Sequence, residues 1–234
     1  MPVLQKSTYQ RPWYLFNPHI ETIYPALTRR ISGIEYERER LTLSDGDFVD
    51  LDWIDSSSRQ LVVLTHGLEG DTSRHYIKGM ARRFMQGGWD VLAWNCRSCS
   101  GEMNRAFRMY NHGEVGDIGE VLRHAMRTKD YERVVMVGFS MGGNITMKYL
   151  GVNADHLDAP IYRAVAFSAP CDLGEGAELL DWPENKFYRN RFFKMLRKKI
   201  TEKAEQYPGR LDITKFDEVK VWKDFDNFFS APIN

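Results

Sequence analysis

Residues Val134–Asn144 read VVMVGFSMGGN. Four apolar residues run into a serine set between glycines, and a helix-like segment follows. Gly138-Phe139-Ser140-Met141-Gly142 fits G-x-S-x-G, the pattern of a nucleophile elbow. A strand that turns abruptly into a helix strains its corner residue and presses neighbouring backbone segments together. Gly138 and Gly142 leave room for that approach, since a β-carbon at either place would collide. The corner would lift the Ser140 hydroxyl above the carboxyl end of a sheet. It would also set the Met141 N–H at a helix start, where the dipole favours developing negative charge. Alone the motif is weak: with glycine near 7% of residues, chance supplies it in roughly one chain in fifteen of this length. Its setting makes it informative, because an apolar run precedes it and a helix with Ile145 and Tyr149 follows.

Outward from this corner, LVVLTH, DVLAWN, RVVMVGF and YRAVAFSA are short apolar runs, each reading as a strand covered on both faces. Longer amphipathic segments separate them: SRHYIKGMARRFMQGG, GDIGEVLRHAMRT and MGGNITMKYLG. Gly87 and Gly88 suit the close of the first helix, and Asp117 with Glu120 has the spacing of a capping box at the second. Strands alternating with helices predict a mainly parallel sheet in a three-layer α/β domain. Upstream, IEYERERLTL and FVDLDWI alternate around SDGD, which predicts an antiparallel hairpin. Residues 1–30, rich in aromatics and proline, predict short helices on the body, with Asn17, Pro18 and His19 as packing and turn residues. From about Ala177 to Lys203 the chain reads as helical and basic, and no buried strand is evident after it. Residues 1–170 thus read as the N-terminal part of a core, and 171–234 as an appended helical cap.

The composition excludes several classes. Thirty-two Lys and Arg balance thirty-two Asp and Glu, so no global basic field points to nucleic acid. No apolar run approaches the roughly 20 residues of a spanning helix. The N-terminus lacks the apolar stretch of a signal peptide, and with three cysteines a reduced, cytoplasmic setting is expected.

A second motif bears on the first. His66-Gly67 in LTHGLEG ends an apolar run, where an elbow draws its second backbone donor from a loop commonly announced by His-Gly. Leu68 N–H is the candidate donor, and His66 reads equally as a hydrogen-bonded histidine closing the strand. Leu68 and Met141 would then hold an oxyanion between them.

Five segments in order, NPHIETIYP, HGLEGDTSRHY, NCRSCSGEMNR, HGEVGDIGEVL and VGFSMGGN, resemble the α/β-hydrolase superfamily. The resemblance is to its branch of bacterial YheT-type hydrolases and eukaryotic ABHD-type lipid esterases (AB hydrolase family 4), and it covers nearly the whole chain. It implies a serine hydrolase with a Ser–Asp–His triad, cleaving carboxylic esters, glycerolipids among them, with Ser140 as the acyl-accepting nucleophile. No metal or organic cofactor is implied; the partner is a small-molecule or lipid ester.

The family places its acid and histidine after the cap, on the last two strands, which are absent here. After Ser140 the one histidine is His156, at the far end of the elbow helix. Asp172 follows the sixth strand but lacks an imidazole to orient, and neither His75 nor His112 is assigned as the base. The expectation is therefore an N-terminal portion of a longer protein, inactive and poorly soluble alone, with acid and base beyond Asn234. An acyltransferase using the same serine, or a lipid-binding remnant, are the alternatives.

Two further patterns carry less. Cys96-Arg97-Ser98-Cys99 is a C-x-x-C, but His112 and His124 stand too far apart for a zinc finger, and the motif sits in a glycine-containing loop. In residues 185–200, Phe192, Phe193, Leu196 and Ile200 recur at helical spacing among seven Lys and Arg. They read as a cap helix packing an apolar stripe, with contact to an anionic membrane surface as the alternative.

Overall fold

A computed structural model describes Val3 and residues 5–234, which divide into two compact units, the described residues up to Gly33 and residues 34–234. The first holds one helix, α1 (Pro18–Thr28). The Asn17 side chain accepts the Ile20 N–H at 2.9 Å, and Pro18 fills the first turn, where no amide hydrogen is needed. No residue of α1 is buried.

In the second unit, β1 (Glu37–Thr42) and β2 (Phe48–Ile54) form the expected antiparallel hairpin. Then follow β3 (Gln60–Thr65), α2 (His75–Gln86), β4 (Asp90–Asn95), α3 (Gly116–Thr128), β5 (Arg133–Phe139), α4 (Met141–Val152) and β6 (Ile161–Phe167). The strand order is β1-β2-β4-β3-β5-β6; β2 meets β4 antiparallel, and β4, β3, β5 and β6 run parallel. Strand periodicity sorts the core onto two faces. Leu61, Val63, Leu92, Trp94, Val134 and Met136 face α3 and α4, while Val62, Leu64, Val91, Ala93, Val135 and Val137 face α2.

Two expectations change. The run Ile161–Phe167 reads as a covered strand, yet among the described residues it pairs only with β5, and all but Ile161 are exposed. The capping box at Asp117 and Glu120 does not form: α3 starts at Gly116 with no side-chain cap. Stronger partners take both carboxylates. Glu120 binds the Ser44 amide and hydroxyl at 2.9 and 2.6 Å, and Asp117 accepts both arms of the Arg97 guanidinium at 2.8 Å.

That guanidinium is 2% exposed and also reaches Asp47 at 2.7 Å and Asp45 at 2.8 Å. Asp47, fully buried in the hairpin turn, further accepts the Asn104 amide at 2.5 Å and the Arg105 N–H at 2.7 Å. Bidentate pairing and full hydrogen bonding are the conditions under which buried charges are tolerated.

Beyond β6, α5 (Leu173–Asp181) and α6 (Lys186–Gln206) are separated by a short 3-10 turn, Pro183–Asn185. Short helical turns occupy Ile213–Glu218 and then Trp222–Ile233. Phe192, Phe193, Leu196 and Ile200 of α6 pack with Phe216, Trp222, Phe225 and Phe229 in a third cluster that also takes in Met109. Lys203, fully buried on α6, donates to the Asn104 and Ala106 carbonyls at 2.9 and 2.8 Å, and to the Asn104 and Gln206 side chains.

Arg97→Met strands two buried carboxylates, so it is expected to cost about 3–5 kcal/mol of unfolding free energy. Urea denaturation near neutral pH measures it; a loss under 1 kcal/mol would show the network to be dispensable.

Candidate active site

Ser140 occupies the N-cap of α4 with φ 52° and ψ −118°, and its side chain is exposed. Left-handed φ is uncommon outside glycine, so the surrounding structure must impose it. Ser140 N–H donates to the Phe167 carbonyl at 2.8 Å and its own carbonyl accepts the Asn144 N–H at 3.0 Å, so backbone bonds on both sides hold the corner. Met141 opens α4, where first-turn amides lack intrahelical acceptors.

The flanking glycines are required by proximity. A β-carbon on Gly138 would lie 2.2 Å from the Gly142 carbonyl oxygen; one on Gly142 would lie 2.4 Å from the Thr65 oxygen and 2.5 Å from that of His66. The corner is thus wedged against the end of β3.

There the chain makes a tight turn over 67–70. Gly70 N–H donates to the Gly67 carbonyl at 2.9 Å, and Glu69 at the third position has φ 53°, the type II pattern. Gly67 N–H donates to the Tyr76 hydroxyl and Glu69 N–H to that of Tyr110, each at 3.2 Å. The Leu68 N–H has no partner among the described residues. A β-carbon on Gly67 would sit 3.2 Å from the Ser140 Cβ, so this turn and the serine are immediate neighbours.

His66 is fully buried. Its Nε2 accepts the Cys96 N–H at 3.1 Å, which requires the proton on Nδ1, donated to the Gly67 carbonyl at 2.8 Å. Burial drives its pKa down to about 4. The ring is a neutral strut between the turn and β4, and any part in chemistry falls to the backbone beside it.

Ser140 and Leu68 line one cavity of about 790 Å³. Leu180, Phe192, Leu196, Trp222, Phe225 and Ile233 form its apolar wall, and Asn111, His112, Glu114 and Lys148 a polar margin. The wall drawn from Trp222–Ile233 has no precedent in strand patterning; the aromatic density from Phe216 to Phe229 is the signal that marks it.

The remaining candidates scatter. His112 reaches the cavity, burial lowers its pKa, and no hydrogen bond joins it to Ser140 among the described residues. His156 lies past the C-terminal end of α4, a 12-residue helix and so about 18 Å long. His75 begins α2, its ring edge-on to Tyr76 at 5.6 Å. Asp172 caps α5 by accepting the Glu175 N–H at 2.9 Å. Cys96 and Cys99 are buried free thiols in a turn, and burial raises both pKa values, Cys99 to about 11. Among the described residues no group of three His, Cys, Asp or Glu side chains could hold a metal ion, and no helix is long and apolar enough to cross a membrane.

A mixed sheet in this order, with a serine at the sharp turn from β5 into α4, is the α/β-hydrolase fold. The chain belongs to the family described as serine aminopeptidase, S33 (Hydrolase_4), which matches residues 56–217. It is 32% identical over 224 residues to the Escherichia coli (strain K12) protein named "Putative esterase YheT", covering 93% of this chain and 65% of that one. To the mouse protein "Phospholipase ABHD3" (Mus musculus) it is 24% identical over 240 residues, covering 98% of this chain and 58% of that one. The chain therefore spans between half and two thirds of the length of these relatives. Among solved structures, the Pyrococcus furiosus esterase Pf2001 superposes with a TM-score of 0.54 at 18% identity, over 74% of this chain and 78% of that one, a likeness of fold.

Two substitutions in α4 separate close approach from helix propensity. Gly142→Ala is expected to cost about 3 kcal/mol or more, because β3 backbone cannot yield as a side chain would. Gly151→Ala, with nothing within 4 Å of its β-carbon, is expected to gain about 0.5–1 kcal/mol. Denaturation midpoints of the pair decide it.

His66 predicts a pH dependence. Its folded pKa of about 4 lies below the ordinary 6.5, so the unfolded chain takes up a proton that the folded one refuses. Its contribution is complete above pH 6.5 and is lost as pH falls toward 4, by up to about 3 kcal/mol. Urea midpoints across that window should fall less steeply in His66→Gln, by about one proton; equal slopes would refute it.

Proposed function

We propose that this protein is a serine hydrolase that cleaves carboxylic esters through an acyl-enzyme on Ser140, with the Leu68 and Met141 amides stabilising the oxyanion. The observation that carries this is the unpartnered Leu68 N–H in a turn pressed against Ser140, at the wall of an apolar cavity. Attack by the hydroxyl on an ester carbonyl would move negative charge onto the carbonyl oxygen, where preorganised amides act most strongly. The esterase and phospholipase names of the relatives, and the mainly apolar wall, favour esters with an acyl chain. Helices α5 and α6 and the turns to residue 234 act as the cap over that chain.

Ser140 has no imidazole in hydrogen-bond contact among the described residues, and a serine hydroxyl is a weak nucleophile until a base takes its proton. The chain is therefore expected to acylate slowly and turn over poorly.

A fluorophosphonate probe should label the chain slowly but stoichiometrically, at Ser140 by mass spectrometry, and Ser140→Ala should abolish the adduct. Leu68→Pro keeps a residue suited to the second position of a type II turn while deleting the amide, so labelling should slow by about 10²-fold or more. No adduct on Ser140 after prolonged exposure would overturn the acyl-enzyme reading.

A further inference from the structure

The 67–70 turn contains a charged group that the proposed chemistry leaves unused. Glu69 occupies the turn position at which glycine is favoured, with φ 53° and 6% exposure. A long acidic side chain there is strained and desolvated unless something holds it. Tyr110 closes a small ring with it, its hydroxyl accepting the Glu69 N–H at 3.2 Å and donating to Glu69 Oε1. The same Oε1 lies 2.9 Å from Lys199 Nζ, from helix α6. Arg74 donates to the Glu69 carbonyl at 2.9 Å. Backbone amide, carbonyl and carboxylate of this one residue are thus all fixed, and one of the fixing groups belongs to the cap.

We propose that Lys199 and Glu69 form a latch through which helix α6 sets the left-handed backbone of the turn, and so aims the Leu68 N–H at the Ser140 site. Both are positioning residues, and the proposal deepens the serine-hydrolase reading on which its functional half rests. The ammonium also lies 3.2 Å from Cys99 Sγ and 4.9 Å from the Tyr110 ring centre, so its surroundings hold it on one spot. Burial disfavours its charge, but the Cys99 and Glu69 side chains outweigh this and hold its pKa above the ordinary lysine value. A side chain that merely filled space would need neither the charge nor this convergence on a residue adjoining the Leu68 amide.

The test compares Lys199→Met, Lys199→Arg, Glu69→Gly and the Glu69→Gly/Lys199→Met double variant, with folding followed by circular dichroism. The Glu69 and Gly70 amides, bonded to Tyr110 and Gly67, report the turn by hydrogen exchange. Lys199→Met should speed their exchange about tenfold, and Lys199→Arg should restore most of the protection. Fluorophosphonate labelling of Ser140 should slow by about tenfold in Lys199→Met. Glycine adopts the positive φ without help, so in the Glu69→Gly background Lys199→Met should change either rate less than about twofold. Unchanged exchange in a folded Lys199→Met protein, or an equal effect in both backgrounds, would overturn the latch. Should the parent chain not label at all, the hydrolase reading falls while the exchange comparison still decides the latch.

Discussion

The approach of Gly142 to the Thr65 and His66 carbonyls sets the geometry at the carboxyl end of the sheet. Packing the first turn of α4 this close to the end of β3 leaves no space for a side chain at Gly142, so the chain must leave β5 through a corner that an ordinary strand-to-helix loop does not make. Ser140 absorbs the bend in a conformation with positive φ. Once that contact is made, the next turn of backbone, residues 67–70, falls against the serine. His66 braces it from below with one donated and one accepted hydrogen bond. A single close backbone contact thus assembles side chain and amides contributed by β3 and β5, whose ends lie about 70 residues apart in sequence.

Most of this frame was legible because its signals are local. Glycines flanking a serine, a His-Gly after an apolar run and an alternating pair around SDGD each report a conformation within a few residues of themselves. Features decided by distant partners were not. Asp117 has good capping spacing, but a buried guanidinium 20 residues upstream binds it more strongly than a helix terminus would. Ile161–Phe167 has the composition of a covered strand, and composition does not say what lies beside it. The left-handed Glu69 is hidden for the same reason. Its stabilising groups, Tyr110 and Lys199, stand 41 and 130 residues away, and a glutamate ordinarily argues against such a conformation.

Charge in this protein is organised by depth. The surface pairs, such as Arg197 with Asp217 or Arg59 with Asp130, are exposed on both sides and add little. The buried ones join separate elements: Arg97 ties the hairpin turn to α3, and Lys199 ties α6 to the loop after β3. Such pairs cost desolvation and return little net stability compared with an apolar substitute of the same size. Their value lies in allowing few alternative arrangements, because each carboxylate has a short list of groups that can satisfy it.

Lys203 extends that pattern to how the cavity can be reached. It stands one helical turn beyond Lys199, and its fully buried ammonium binds the 104–106 segment, which Asp47 grips from the other side. Two anchors about 6 Å apart along the axis hold the second half of α6 like a pair of rivets. Swinging the whole helix outward would strip both ammonium groups of their acceptors at once. Reaching the cavity by displacing this half of α6 is therefore the costly route, and it stands as a stationary jamb.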